Sequence, residues 1–332
     1  MKMGIPSQAT SQPNKLPKPG EAVRHSARRC WHCCCLGVLL LAAGGCVEPG
    51  VAAGDFDLVW GQQGQSAGRL QKPRAMAIDR QDHVYIVDMT ARIQVFTTDG
   101  QLLRHWQTPA SELGKPSGLS IGRDGNLLVA DTHYARVLVY SPEGELLQTV
   151  GGVSGSRPGE FGFVTDAVQD VEGNFYVSEY GDYDRVQKIS PDGQFISQWG
   201  GHGAEPGQFR RPQNLAVDAQ GNIWVADACN HRIQAFDTDG NLLKVWGTEG
   251  SGPGQLRYPY DLEFDDQGRL WVIEFGNHRV QVFSPDGQSL GCYGTHGRRR
   301  GQFHNPWALA LDSNDTVYVL DTYNHRVQRL DE

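Results

Sequence analysis

Long apolar runs are missing from this 332-residue sequence. The most sustained one, Leu36–Ala43, falls well short of the roughly 20 residues that a membrane-spanning helix needs. Cysteine is scarce where a fold would use it: of seven, Cys30, Cys33, Cys34, Cys35 and Cys46 crowd the first 46 residues, leaving Cys229 and Cys292. That excludes a disulfide-built domain, so about 280 residues must stand on a hydrophobic core. Positive charge is also short. Residues 1–45 carry six positive side chains and one negative, so a chain of net charge −8 leaves −13 on the remainder. Phosphate binding depends on neutralising lysines and arginines, which excludes nucleic acid as a partner. No serine-nucleophile motif, phosphate loop or His-Glu zinc helix is present.

What is abundant is repetition. The stretch VADACNHRIQAF from Val225 returns as IVDMTARIQVF from Ile86, LVADTHYARVLVY from Leu128, YVSEYGDYDRVQKI from Tyr176, WVIEFGNHRVQVF from Trp271 and YVLDTYNHRVQRL from Tyr318. One acid marks each copy, Asp88, Asp131, Glu179, Asp227, Glu274 and Asp321, at separations of 43, 48, 48, 47 and 47 residues. An arginine follows each: Arg92, Arg136, Arg185, Arg232, Arg279 and Arg326. A fixed period of this size signals a repeat architecture.

Within a repeat the apolar runs are short, β-branched or aromatic, and punctuated by Gly, Asp, Asn and Pro, which predicts strands. Four per repeat, such as Asn214–Val217, Ile223–Ala226, Ile233–Phe236 and Leu242–Trp246, describe an antiparallel meander, one blade of an all-β, six-bladed propeller. The sixth repeat lacks its outer strand before the sequence stops at Glu332. Phe56–Gly61, FDLVWG, matches LLKVWG of the fourth repeat and is expected to supply it by pairing with Val327–Leu330.

The phrase of an acid, Asn-His-Arg and an apolar-Gln-apolar strand resembles the NHL repeat, clearest at Asn230-His231-Arg232, Asn277-His278-Arg279 and Asn324-His325-Arg326. The resemblance spans roughly residues 55–330 and implies a six-bladed propeller; it does not imply one activity. Amidating lyases of this type carry zinc-binding histidines just after the proline that opens the inner strand. The matching positions here, Arg74, Ser117, Thr165, Gln213, Tyr260 and Trp307, hold none, so transfer of that activity is not supported.

Ahead of the repeats, Arg24, Arg28 and Arg29 lead into the short apolar run and then Ala43-Gly44-Gly45-Cys46. This reads as a signal peptide over 1–45. The small residues before the cysteine resemble a bacterial lipoprotein cleavage box, which implies acylation of Cys46, a linker over 46–54 and a propeller over 55–332. Val47 is not the aspartate linked with inner-membrane retention, so the expected place is the cell envelope, at the outer membrane or cell surface. The membrane is met through the lipid alone, and the domain is expected to be a monomer.

An acid and an arginine that recur in all six repeats point to a structural charge-assisted hydrogen bond, because a catalytic group is needed once. His231, His278 and His325 occupy one place in three blades and read as neutral structural residues rather than a shared metal site. Trp60, Trp106, Trp199, Trp246 and Tyr293 recur on the outer strands and fill the gaps between blade rims.

Function is expected on the face that collects the links between blades and the loops between second and third strands. Non-repeating residues gather there: Tyr180, Tyr183, His202, Arg211, Tyr258, Tyr260, His296 and Trp307. Aromatics mixed with arginine suit a protein, peptide or carbohydrate ligand, particularly an anionic one. Near the channel the inner strands start with Ala75, Gly118, Asp166, Asn214, Asp261 and Ala308, and Glu263 breaks a small-residue series two positions on. Asp166, Asn214, Asp261 and Glu263 could hold calcium, which takes six to eight oxygens. Gluconolactonase- and paraoxonase-like propellers carry a similar ion, which implies a metal-dependent hydrolase or lyase as the alternative to a non-enzymatic binding module. The competing structural reading makes these residues loop caps.

Overall fold

A computed structural model describes residues 55–331. The expected signal segment, Cys46 and the linker 46–54 lie outside the described residues. Among the described residues no helix is long and apolar enough to cross a membrane.

The strands form six four-stranded antiparallel sheets, five of them simple meanders, and a short parallel pair, Thr295–His296 with Gln302–Phe303. The inner strands are Ala75–Ile78, Gly118–Ile121, Phe163–Gln169, Pro212–Val217, Pro259–Phe264 and Ala308–Leu311, in blades one to six. Blade four then runs Ile223–Asp227, Arg232–Phe236 and Leu242–Trp246, within two residues of the spans expected from its apolar runs. The sixth sheet is completed from the other end of the chain. Asp55–Trp60 pairs antiparallel with Arg326–Asp331, placing Leu58 opposite Arg329 and Trp60 opposite Val327. Asp57 and Arg329 form a two-pronged ion pair across this seam. A strand edge that would otherwise template aggregation is covered.

The core is a ring of six apolar clusters, one in each gap between neighbouring blades. Phe161, Val164, Phe175 and Val137 fill the gap between blades two and three; Phe56, Trp271, Phe303 and Leu330 fill that between five and six. Alternation along the middle strands supplies both clusters flanking a blade, which is why these strands are buried throughout.

At the rim, each outer-strand tryptophan covers the tight turn of the next blade. A Cβ on Gly100, whose φ is 82°, would lie 2.5 Å from the Trp60 ring. Blade two has Val150 where other blades carry the aromatic, and the turn it faces, at Gly193, is open. Cys229 and Cys292 are both free thiols.

Candidate functional site

All six acid–arginine pairs are formed, with the acids fully buried. The nearest contacts are 3.3 Å for Asp88–Arg92, 2.8 Å for Asp131–Arg136, 2.6 Å for Glu179–Arg185, 2.7 Å for Asp227–Arg232, 2.5 Å for Glu274–Arg279 and 2.7 Å for Asp321–Arg326. Burial, partly offset by the arginine, pushes the carboxyls of Asp131, Asp227, Glu274 and Asp321 above the usual range. Each arginine except Arg136 also donates to carbonyls of the preceding inter-blade link; Arg232, for example, reaches Ala204, Glu205 and Gln208. In five of the six blades the pair therefore staples a loop onto its blade.

The three Asn-His-Arg histidines staple blade to blade. Each stands in the left-handed region, φ 55–56°, and its Nδ1 accepts the backbone amide of the next link: Tyr258 for His231 (3.1 Å), Asn305 for His278 (3.1 Å) and Lys72 for His325 (2.9 Å). An imidazole accepting at Nδ1 carries its proton on Nε2, so in this state neither nitrogen offers a lone pair to a metal.

The channel residues meet but turn their oxygens toward the backbone. Asp166 Oδ2 accepts from Asn214 Nδ2 (3.0 Å) and the Leu215 amide (3.1 Å); Asn214 Oδ1 accepts from the Leu262 amide (3.1 Å); Asp261 Oδ2 accepts from the Leu309 amide (2.9 Å). Glu263 accepts from the Leu311 amide. The competing reading as loop caps is corrected: these side chains tie each inner strand to the next, from blade three round to blade six. Gly118 has no side chain because a Cβ there would collide with the Thr165 carbonyl and the Asp166 carboxylate.

Burial in the channel pushes Asp166 and Glu263 up to about 8, and raises Asp261 well above the usual range, with Asp166 and Glu263 adding repulsion. Asp166 Oδ1 is buried without a partner, facing a cavity of about 270 Å³. One buried carboxylate oxygen without a partner is far from the six to eight that calcium takes, and among the described residues no three His, Cys, Asp or Glu side chains converge to hold a metal.

Above these acids, on the loop-rich face, the channel opens between Arg74, Ser117, Gln213, Tyr260 and Trp307. Tyr260 stacks on Phe275 with centroids 4.6 Å apart and meets Trp307 edge-on at 5.2 Å. Arg74 lies over Trp307 at 5.6 Å, and Arg211 over Tyr180 at 4.9 Å. Neither arginine has a carboxylate partner among the described residues; Arg211 Nε and Gln213 Nε2 are buried donors with nothing to donate to. Burial pulls Arg74 below its usual range. The cavity enclosed here is small, about 10 Å³, so what the mouth offers is an aromatic surface with cationic donors beside it.

Of the expected face residues, Tyr180, Arg211, Tyr260 and Trp307 come together at this mouth. The others have local partners: His202 Nδ1 contacts Asp184 at 2.6 Å, Tyr258 packs on His231, His296 on His278, and Tyr183 lies under Arg185. Sequence reasoning had Arg74 and Gln213 in view only as positions lacking histidine, and passed over Phe275. For Arg74 and Gln213 the available signal was a long polar side chain at a position that is Ser or Thr in blades two and three.

The NHL repeat model matches residues 209–236, 256–283 and 303–330, the blades in which Asn-His-Arg is complete. The chain carries NHL repeats on a six-bladed β-propeller. This NHL propeller is 32% identical over 185 residues to peptidyl-glycine alpha-amidating monooxygenase B of Xenopus laevis, covering 53% of this chain and 20% of that protein. It is 31% identical over 160 residues to human NHL repeat-containing protein 3, covering 44% and 45% of the two chains. It thus spans about a fifth of the first relative and under half of the second. Among solved structures, the gluconolactonase XC5397 of Xanthomonas campestris superposes with a TM-score of 0.60 at 15% identity, over 80% of this chain and 88% of that one. A streptogramin B lyase superposes at 0.57 with 13% identity, over 79% and 93%. At such identities these structures share the fold alone.

Proposed function

We propose that this NHL propeller is an exported, lipid-anchored binding module. It holds a protein, peptide or carbohydrate ligand on its loop-rich face, with an anionic group of that ligand seated between Arg74 and Arg211 at the channel mouth. The observation that carries the reading is a pair of half-buried arginines without carboxylate partners, Arg211 with a buried, unused Nε–H, against Tyr180, Tyr260, Phe275 and Trp307. A half-buried cation without a counter-charge gains a charge-assisted hydrogen bond when a ligand carboxylate completes the pair. The name of the amidating relatives, which specifies peptidyl-glycine, favours a peptide among the three ligand classes.

Titration calorimetry with N-acetylphenylalanine, which joins a carboxylate to an aromatic ring, should show binding that its amide lacks. Equal affinity for acid and amide would remove the anionic seat. Export and anchoring are tested apart from ligand binding: metabolic palmitate labelling should mark the full chain and be lost in Cys46→Ser.

A second reading, a hydrolase or lyase with calcium in the channel, rests on the single unpartnered oxygen of Asp166. Elemental analysis of the purified domain separates the two. Stoichiometric calcium, with a melting temperature that drops on chelation, would favour the second; its absence with no chelator effect leaves the binding module.

A further inference from the structure

In blades four to six an imidazole fills the space between a blade and the next link. Blade two has Ala135 at that position, in the same left-handed conformation, φ 50°. Where the ring would lie, a cleft of about 350 Å³ opens between blades two and three. This is within the range of small-molecule sites, about 300–1,000 Å³. Its walls are Phe163, Tyr180 and Tyr183, with Ser154, Ser156 and Asp182 around the rim. Phe163 and Tyr183 are each 42% exposed, unusual for large rings that have a core available. Phe163 contacts Tyr180 at 5.3 Å and His133 at 5.4 Å, so the aromatic faces form one continuous surface.

The departures from the repeat concentrate here. The acid–arginine spacing in blade three, Glu179 to Arg185, is one longer than in blades four to six, and the extra residue belongs to the Tyr180-Gly181-Asp182-Tyr183 loop. The proline that opens the inner strand elsewhere is Val164, preceded by Gly162-Phe163. Neither change serves the staples of the other blades; both place a ring or a bare backbone at the cleft.

The electrostatics select the guest. Guanidinium groups already lie over both tyrosines, Arg211 over Tyr180 at 4.9 Å and Arg185 over Tyr183 at 5.2 Å, so a cation would meet like charge. An anion would face the exposed Asp182, with Arg185 already paired to Glu179 and burial favouring the neutral form of His133. A wholly apolar guest would leave the serine hydroxyls and Asp182 without partners. What matches is a neutral ring with apolar C–H faces and a hydroxyl edge: the faces lie on the aromatics, and the hydroxyls bond to the serines and, with charge assistance, to Asp182.

We propose that the cleft between blades two and three is a sugar subsite that takes a neutral pyranose ring. It rests on the reading of the loop-rich face as the binding surface, and adds a second seat beside the anionic one at the channel mouth.

The test is saturation-transfer NMR and calorimetry on the purified domain with methyl β-glucoside, methyl β-galactoside, methyl α-mannoside and methyl N-acetyl-β-glucosaminide. At least one should bind the wild type. Ala135→His, which restores the imidazole of the other blades, should weaken that sugar by about tenfold or more while keeping the melting temperature. Phe163→Ala, which removes one wall, should do the same and decides the matter if Ala135→His melts early. Lys244→Ala, which removes an exposed pair on an outer strand, should leave sugar binding unchanged. If none of the four glycosides binds, or if both cleft variants bind as the wild type does, the subsite is refuted. Sugar binding without N-acetylphenylalanine binding would overturn the mouth alone.

Discussion

Arg232→Leu isolates the acid–arginine pair that recurs in every blade. Arg232 Nε sits 2.7 Å from Asp227 Oδ2, and its terminal nitrogens donate to the carbonyls of Ala204, Glu205 and Gln208. Leucine leaves Asp227 buried with three neutral donors, the Arg210 amide, Asn230 Nδ2 and Gln234 Nε2, and leaves the link 204–208 held by Gln234 alone. Breaking one side of a buried pair costs about 3–5 kcal/mol. At roughly 2 °C per kcal/mol for a domain this large, the melting temperature should fall by about 6–10 °C. Lys244→Ala, which removes an exposed pair with Asp286, is the control and should change stability by no more than about 0.5 kcal/mol. Removing both charges in Asp227→Leu/Arg232→Leu should cost less than twice the single change, because no buried charge is stranded. Thermal unfolding followed by circular dichroism reads all of these. If Arg232→Leu melts with Lys244→Ala, the staple is ornamental and the reasoning fails.

Two further outcomes follow from the channel and the seam. Asp166 and Glu263, raised to about 8 by burial, hold protons that the unfolded chain releases near the ordinary carboxylate range. Their contribution is therefore fully present at acid pH and lost as pH climbs toward 8, by up to about 1.4 kcal/mol per pH unit for each retained proton. Asp166→Asn should flatten the fall in urea midpoint between pH 5 and 8; an unchanged slope would contradict the assigned burial. Deleting Asp55–Trp60 should lower the melting temperature and produce oligomers on size-exclusion chromatography, since the last blade loses its outer strand; a monomer of undiminished stability would show that the seam is dispensable.

Much of the fold was legible because a repeat states its design six times. The period fixed the blade count, the two-residue alternation fixed the strands, and the FDLVWG match fixed the closure. The acid–arginine pairs were legible for the same reason, since a feature in every blade has to serve the scaffold. The functional face was legible only in outline. Arg74, Gln213 and Tyr260 share a strand position, and nothing in the spacing says which of six side chains reach one another across a channel. Asp166, Asn214 and Asp261 looked like metal ligands because sequence shows residue type but not where each oxygen points. The cleft at Ala135 was hidden because it arises from a side chain that is missing.

Titration of N-acetylphenylalanine into the wild-type domain and Arg74→Gln/Arg211→Gln, side by side, tests the proposed binding face most directly. The account predicts saturable binding that weakens with salt in the wild type, and none in the double variant at an unchanged fold. Binding of equal strength to both would contradict it.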